Sequence, residues 1–125
     1  MSAFIDAVRH HGDFDGDREA RIAARVTLVA IGDRLDDADA DALAESLPES
    51  FADAVTDVGS VDGADEALAA RVATVAGLAE SERGRADGYV DATLRALRDT
   101  VPGDVLVRVA DALPDERART LGVAD

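Results

Sequence analysis

Cysteine is absent from the 125-residue chain, and so are lysine, asparagine, glutamine and tryptophan. Without cysteine the chain can form no disulfide, no thiolate metal site and no cysteine nucleophile. No apolar run approaches the roughly 20 residues of a transmembrane helix, and the first residues lack the pattern of a secretory signal. We therefore expect a cytoplasmic protein with one domain over residues 1–125 and no membrane partner.

Aromatic residues are scarce, at 3% of the chain, and few aromatics combined with a high net charge are typical of disorder. Leucine, isoleucine, valine and phenylalanine nevertheless make up 31 of the 125 residues, about 25%. That fraction exceeds the roughly 20% below which charged chains usually stay unfolded. The composition therefore predicts a folded domain with a small core.

The charged residues are strongly biased towards acid. The chain has 27 acidic and 13 basic residues and a net charge of -14; every basic residue is arginine, and aspartate outnumbers glutamate by 20 to 7. Such a surface repels itself in dilute buffer, whereas at molar salt the Debye length falls to about 3 Å and the repulsion is screened. The composition resembles that of proteins from salt-accumulating halophilic archaea. Because the acid is spread along the whole chain, we interpret it as a solvated surface and expect no nucleic-acid partner.

Apolar side chains recur at helical spacing in the first half of the chain, which predicts four helices. The first ends at Gly12, and the second runs from a candidate N-cap at Asp15 to Asp36. A third ends at Pro48, and a fourth follows it and closes at Gly59. The apolar stripe of the second helix consists of Ile22, Val26, Val29, Ile31 and Leu35.

The second half predicts a similar succession of helices. Asp62 and Asp65 resemble a capping pair before a helix that Gly77 interrupts. A longer helix follows and ends before Pro102, and a shorter one begins after it. The seam of the longer helix consists of Val90, Leu94, Leu97 and Val101. Only the segment 105–109 also fits a period of two, so the predicted fold class is all-α.

The two halves resemble each other when one is shifted by 66 positions. Residues are identical at Thr27 and Thr93, Leu28 and Leu94, Ala30 and Ala96, Ala44 and Ala110, and Leu47-Pro48 and Leu113-Pro114. Hydrophobic class is kept at Ile31 and Leu97, Leu43 and Val109, and Val55 and Leu121. The pattern predicts two tandem related halves, about 1–60 and 61–125, that cover each other's apolar faces in a compact helical bundle.

Two pairs of short motifs carry a family resemblance. The first half contains the segments 31–35 (IGDRL) and 43–49 (LAESLPE), and the second half echoes them at 94–99 (LRALRD) and 112–116 (ALPDE). In order and spacing they resemble the family called domain of unknown function 2267, over nearly the whole chain. The chain departs from that pattern where a bulky aromatic residue is expected, at 118–121 (ARTL). The resemblance implies a small all-helical protein with no assigned activity.

The densest polar cluster does not fit a metal site. It consists of His10, His11, Asp13, Asp15, Asp17 and Glu19. A calcium loop beginning at Asp13 needs glycine where Arg18 stands and glutamate where Ala24 stands. Adjacent histidines on a helix also point about 100° apart. We interpret the cluster as a helix-capping loop, and we assign no metal ligand, cofactor or catalytic residue.

Small residues recur every four positions on the longest predicted helix. Gly84, Gly88 and Ala92 form a smooth stripe with Ala96, and Tyr89, the only tyrosine, lies beside it. The stripe fits a helix crossing inside the bundle, and alternatively a dimer interface. We favour the internal crossing, because a small core needs its helices close together.

Two groups of arginines are candidates for contact with an anion or an acidic partner. Arg18, Arg21 and Arg25 share one face of the second helix, and Arg95 and Arg98 share a face of the longest helix. The simpler interpretation is that they pair with neighbouring carboxylates.

These features favour a non-enzymatic interaction or regulatory module with an unidentified protein partner or with itself. The alternative is a small-molecule binder or enzyme with a pocket between the two halves. A polar cluster between the halves favours the alternative, and a closed, fully apolar junction excludes it.

Salt dependence is the first testable prediction. Because the acidic surface is self-repelling in dilute buffer, helicity and melting temperature should both rise as KCl is raised to multimolar concentration. Circular dichroism across a KCl titration measures both, and a signal that does not change with salt contradicts the interpretation as a halophilic protein.

Overall fold

The protein is helical wherever the structure, a computed structural model, describes it. The described residues are 3–12, 14, 16–32, 35, 37–47, 49–56, 72–74, 76–77, 83–111, 113 and 119–121. The complete helices are α1 (Ala3–His11), α2 (Asp17–Gly32), α3 (Asp37–Glu45), α4 (Glu49–Thr56), α5 (Arg83–Thr100) and α6 (Gly103–Asp111). No strand occurs in these ranges, so the all-α prediction is confirmed. None of the described helices has the length and apolarity needed to cross a membrane.

The long helix α5 is the centre of the packing. It contacts α1, α2 and α6, while α4 lies against α2 and α3, and α3 contacts α6. The predicted seam of α5 is confirmed, since Val90, Leu94, Leu97 and Val101 are all buried. Segment 105–109 belongs to α6, where Val105 and Val109 face the core.

Three predicted helix boundaries are confirmed, at Gly12, at the turn before position 48 and at Pro102. The amide of Gly12 donates to the carbonyl of Val8 at 2.9 Å, which closes α1. The amide of Leu47 donates to the carbonyl of Ala44 at 3.1 Å, a tight turn immediately before the proline at position 48. The carbonyl of Pro102 accepts at 3.1 Å from the amides of both Val105 and Leu106, which starts α6.

The buried face of α2 differs from the predicted stripe. The helix ends at Gly32, short of Asp36, and Ile22 is 44% exposed while Val26 and Val29 are half-buried. The fully buried side chains of α2 are Ala20, Ala23, Ala24, Thr27, Leu28, Ala30 and Ile31. Alanine is the most frequent residue type among the described core residues. Small side chains allow α2 to approach its neighbours closely, and this packing outweighs the larger hydrophobicity of Ile22.

Two threonines are buried in the core, one on α2 and one on α5. Thr27 and Thr93 are fully buried, and neither hydroxyl has a hydrogen-bond partner in the described part of the chain. By contrast, the Thr100 hydroxyl donates at 2.8 Å to the carbonyl of Ala96, one turn earlier. A buried hydroxyl without a partner costs about 1–3 kcal/mol.

Parts of the predicted second half lie outside the described residues. These are Asp62 and Asp65 of the predicted capping pair, and in the first half Asp13, Asp15 and Gly59. Val72 is buried, and Gly77 lies in a turn with φ of 70°, a conformation that favours glycine. The interruption predicted at Gly77 is consistent with this turn.

Substitution of Gly32 tests the close packing between α2 and α4. A Cβ atom at this position would overlap the carbonyl oxygen of Val55, which belongs to the backbone and cannot turn aside. We expect Gly32→Ala to lower the free energy of unfolding by about 1–3 kcal/mol, measured by urea denaturation at constant KCl.

Gly88→Ala is the matched control, because a Cβ atom there meets nothing within 4 Å on the exposed surface of α5. Alanine should raise the stability at this position by up to about 1 kcal/mol. If Gly32→Ala is as stable as the unsubstituted protein, α2 and α4 do not approach each other as closely as the structure shows.

Candidate functional site

A groove opens between the end of α1, the start of α2 and the first half of α5. It consists of two adjoining cavities, of about 320 and 470 Å³, that share Glu19, Arg85 and Tyr89. The first, which we call the inner cavity, is also lined by His11, Gly12, Phe14, Gly88 and Asp91. The second, the outer cavity, is also lined by Gly16, Arg18 and Ile22. We call the whole the α2–α5 groove, and each cavity falls within the usual size range of ligand pockets, roughly 300–1,000 Å³.

An aromatic pair forms the apolar wall of the inner cavity. The rings of Phe14 and Tyr89 lie 5.8 Å apart between centroids, with their planes tilted by 58°. Tyr89 is only 6% exposed and belongs to the core. A Cβ atom at Gly12 would overlap the Phe14 ring, so glycine at this position lets the ring lie against the backbone. The Phe14 ring therefore lies between the Tyr89 ring and the backbone at Gly12.

A hydrogen bond across the fold fixes His11 in the same cavity. Its Nε2 lies 2.6 Å from Oδ2 of Asp99, which ties the last turn of α1 to α5. The hydrogen bond with His11 is the main cause that lowers the pKa of Asp99, and the charges of His11, Arg98 and His10 act in the same direction against desolvation. Because the carboxylate accepts, Nε2 carries the proton.

The other ring nitrogen of His11 remains available to a ligand. Nδ1 makes no hydrogen bond with any described residue, although the side chain is only 16% exposed. In the neutral imidazole this atom accepts a hydrogen bond, and in the protonated one it donates. His11 therefore lines the inner cavity with a ring whose orientation is held by Asp99.

The candidate arginines occupy different environments. The Nε of Arg95 donates to Asp91 at 2.9 Å, and the Nε of Arg98 lies 3.9 Å from Asp99. Arg21 and Arg25 are exposed on α2 and line neither cavity. Arg18 is also exposed, lines the outer cavity and forms no ion pair with a described residue. A role of these five arginines in contacting an anion or partner stays a prediction.

The stripe of small residues on α5 divides into two parts. Ala92 and Ala96 are buried in the core, beside Tyr89. Gly84 and Gly88 are exposed, and a Cβ atom on either would meet nothing within 4 Å. Gly88 lines the inner cavity. The role of the stripe in a helix contact or dimer interface stays a prediction.

The polar cluster around His10 contains no metal-binding group in its described part. His10 is exposed, and its ring meets that of His11 edge to face, with centroids 5.2 Å apart. Among the residues whose positions are described, no three His, Asp or Glu side chains converge as metal ligands do. Asp13 and Asp15 lie outside those residues.

Comparison with known proteins identifies the family. The family model described as "Uncharacterized conserved protein (DUF2267)" matches residues 1–120. The chain belongs to the DUF2267 family. The resemblance seen in the motifs is thereby confirmed. No curated protein and no solved structure matches the chain.

Sequence patterns identify only part of this DUF2267 groove. His11 and Glu19 belong to the polar cluster. Gly88 and Tyr89 belong to or adjoin the stripe of small residues, and Arg18 is one of the candidate arginines. Phe14, Arg85, Asp91 and Asp99 carry no signal in the sequence. Asp99 lies 88 positions from His11, and only the packing of α1 on α5 brings the two together.

The bond between His11 and Asp99 generates a pH-dependent prediction. The Asp99 pKa lies below its ordinary value of 3.8 in the folded protein, so the ionised carboxylate stabilises the fold above that pH, and this contribution is lost as pH falls through the folded pKa. We expect Asp99→Asn to lower the free energy of unfolding at neutral pH by about 0.2–1 kcal/mol, since the pair is partly exposed and screened.

Urea denaturation at constant KCl from neutral to strongly acidic pH measures this difference. It should shrink below pH 3.8. Asp53→Asn, at an exposed aspartate of α4, is the control for removing one negative charge. A difference between the unsubstituted protein and Asp99→Asn that is constant at all pH values contradicts the role of this hydrogen bond.

Proposed function

We propose that this protein is a regulatory module that binds a small organic molecule in the α2–α5 groove. The observation that carries the proposal is the lining of the groove, which combines an aromatic wall with polar groups of both charge signs. A fully apolar junction between the halves would have excluded a binder. Ligand pockets typically pair apolar surface with a few well-oriented polar groups, as His11 and Tyr89 are here.

We also infer that the chain consists of two tandem related halves. Three helix boundaries support this, because Asp17 and Arg83, Asp37 and Gly103, and Glu45 and Asp111 are each 66 positions apart. Burial supports it too, since both members are fully buried in the pairs Thr27 and Thr93, Leu28 and Leu94, Ile31 and Leu97, and Leu43 and Val109.

The inferred duplication relates the residues that the two halves contribute to the groove. With the same shift of 66 positions, Glu19 corresponds to Arg85 and Ile22 corresponds to Gly88, and all four residues line the groove. A ligand in the groove therefore contacts equivalent faces of both halves. Binding would be coupled to the packing of α2 on α5, which is how a ligand shifts the equilibrium between two arrangements.

A protein interaction is the second candidate function. Ile22 is one of two exposed large hydrophobic residues in the described chain, and Arg18, Arg21 and Arg25 surround it on the exposed side of α2. An exposed apolar side chain with cations around it fits an acidic segment of another protein or a second copy of this acidic chain.

We propose that the protein works in the cytoplasm of a salt-accumulating cell. The support is its composition, with a net charge of -14 and arginine as the only basic residue type. Exposed acids such as Asp37, Asp41 and Glu45 on α3 illustrate the self-repelling surface that concentrated salt screens.

A blocked groove tests the ligand proposal. Immobilised protein is incubated in multimolar KCl with a small-molecule extract of a halophilic microorganism, and bound compounds are identified by mass spectrometry. A leucine side chain at position 88 would extend into the open inner cavity, so Gly88→Leu should retain at least about tenfold less compound than the unsubstituted protein.

Gly84→Leu is the matched control, because Gly84 is also exposed on α5 with open space but lines neither cavity. It should retain the compound fully. If no compound is enriched relative to Gly88→Leu, the ligand proposal is wrong. A stoichiometric protein that Ile22→Asp releases and Gly88→Leu retains supports the second candidate instead.

A further inference from the structure

We propose that the ligand of the α2–α5 groove is an aromatic carboxylate, with its ring in the inner cavity and its carboxylate at Arg18 in the outer cavity. This inference rests on the proposed function and adds the chemical class of the ligand. It depends on three features of the groove, which are the shape of its apolar wall, the balance of charge along it and a guanidinium group that forms no ion pair among the described residues.

The inner cavity favours a flat ring. Phe14 and Tyr89 present aromatic surface on one side, and Gly88 leaves the wall on α5 without a side chain. Aromatic rings pack well in tilted or offset arrangements at the centroid distances seen here. A ring in this cavity would also lie beside His11, whose Nδ1 can hydrogen-bond a polar substituent.

The charge along the groove is balanced, in contrast to the acidic protein as a whole. The groove contains Arg18 and Arg85 against Glu19 and Asp91, and Asp91 is held by Arg95 at 2.9 Å. Guanidinium groups and carboxylates are therefore equal in number along the lining, whereas acidic residues outnumber basic ones by 27 to 13 in the chain, so an anion meets less repulsion here than the average charge of the protein implies. Asp99, the carboxylate bonded to His11, also has a cation beside it, since its Oδ1 lies 3.9 Å from the Nε of Arg98.

Arg18 is the group that would bind the carboxylate. It lines the outer cavity, it is exposed, and it forms no ion pair with the residues described. A guanidinium group matches the planar carboxylate with two parallel hydrogen bonds.

The two adjoining cavities determine how long the ligand must be. They share Glu19, Arg85 and Tyr89. The ring and the carboxylate occupy adjoining cavities, so a short aliphatic spacer must join them. Ile22 at the edge of the outer cavity offers apolar surface to that spacer. The simplest probe with these features is 3-phenylpropionate.

The test compares 3-phenylpropionate with its neutral amide, 3-phenylpropionamide. Each is titrated into the full chain in multimolar KCl, and binding is followed by nuclear magnetic resonance of the labelled protein. We expect the carboxylate to bind up to about fivefold more tightly than the amide, because the contact with Arg18 is exposed and screened by salt. Arg18→Gln should remove this advantage while leaving the affinity for the amide unchanged.

Arg21→Gln is the matched control, because Arg21 is an exposed arginine of the same helix that lines neither cavity. It should bind both compounds as the unsubstituted protein does. Gly88→Leu should lose both compounds, which locates the ring in the inner cavity.

Three outcomes overturn the inference. Equal binding of acid and amide shows that the groove does not select a carboxylate, and tighter binding of phenyl phosphate shows that it selects a different anion. If neither phenyl compound binds, the ligand is not of this class. The proposed function is decided separately, because compounds that the extract experiment recovers on the unsubstituted protein and not on Gly88→Leu would still establish a ligand groove.

Discussion

The close approach of small side chains is the constraint on which this structure depends. Alanine is the most frequent residue of the described core, so each helix gains little from any one side chain and must lie close to its neighbours. One such close approach is at Gly32, where α2 meets the backbone of α4 at Val55. The central helix α5 contacts α1, α2 and α6 and so determines where each of them can lie.

The groove follows from this packing. The chain turns between the end of α1 at His11 and the start of α2, and Phe14 in that turn lies against Tyr89 of α5. The bond from His11 to Asp99 holds the end of α1 against α5 on the same side. Arg18 at the start of α2 and Arg85 at the start of α5 both line the groove, together with Glu19 and Asp91.

The sequence predicts a buried helix face correctly where neighbouring side chains differ strongly in hydrophobicity. The seam from Val90 to Val101 is predictable because bulky apolar residues alternate with charged ones, and proline marks the end of α3. The buried face of α2 is misjudged because alanine and threonine give little hydrophobic contrast beside Ile22. The groove is mostly unpredictable, since partners such as His11 and Asp99 are brought together only by tertiary packing.

The two buried threonines have a consequence for how the molecule opens. Valine would fill the space of Thr27 or Thr93 without leaving a hydroxyl unsatisfied, so the core around each threonine is less stable than the same backbone allows. Local opening that brings either hydroxyl to water accordingly requires less free energy than opening of a fully apolar core. Amide hydrogens beside these threonines in α2 and α5 should therefore exchange with solvent through such local opening, ahead of complete unfolding.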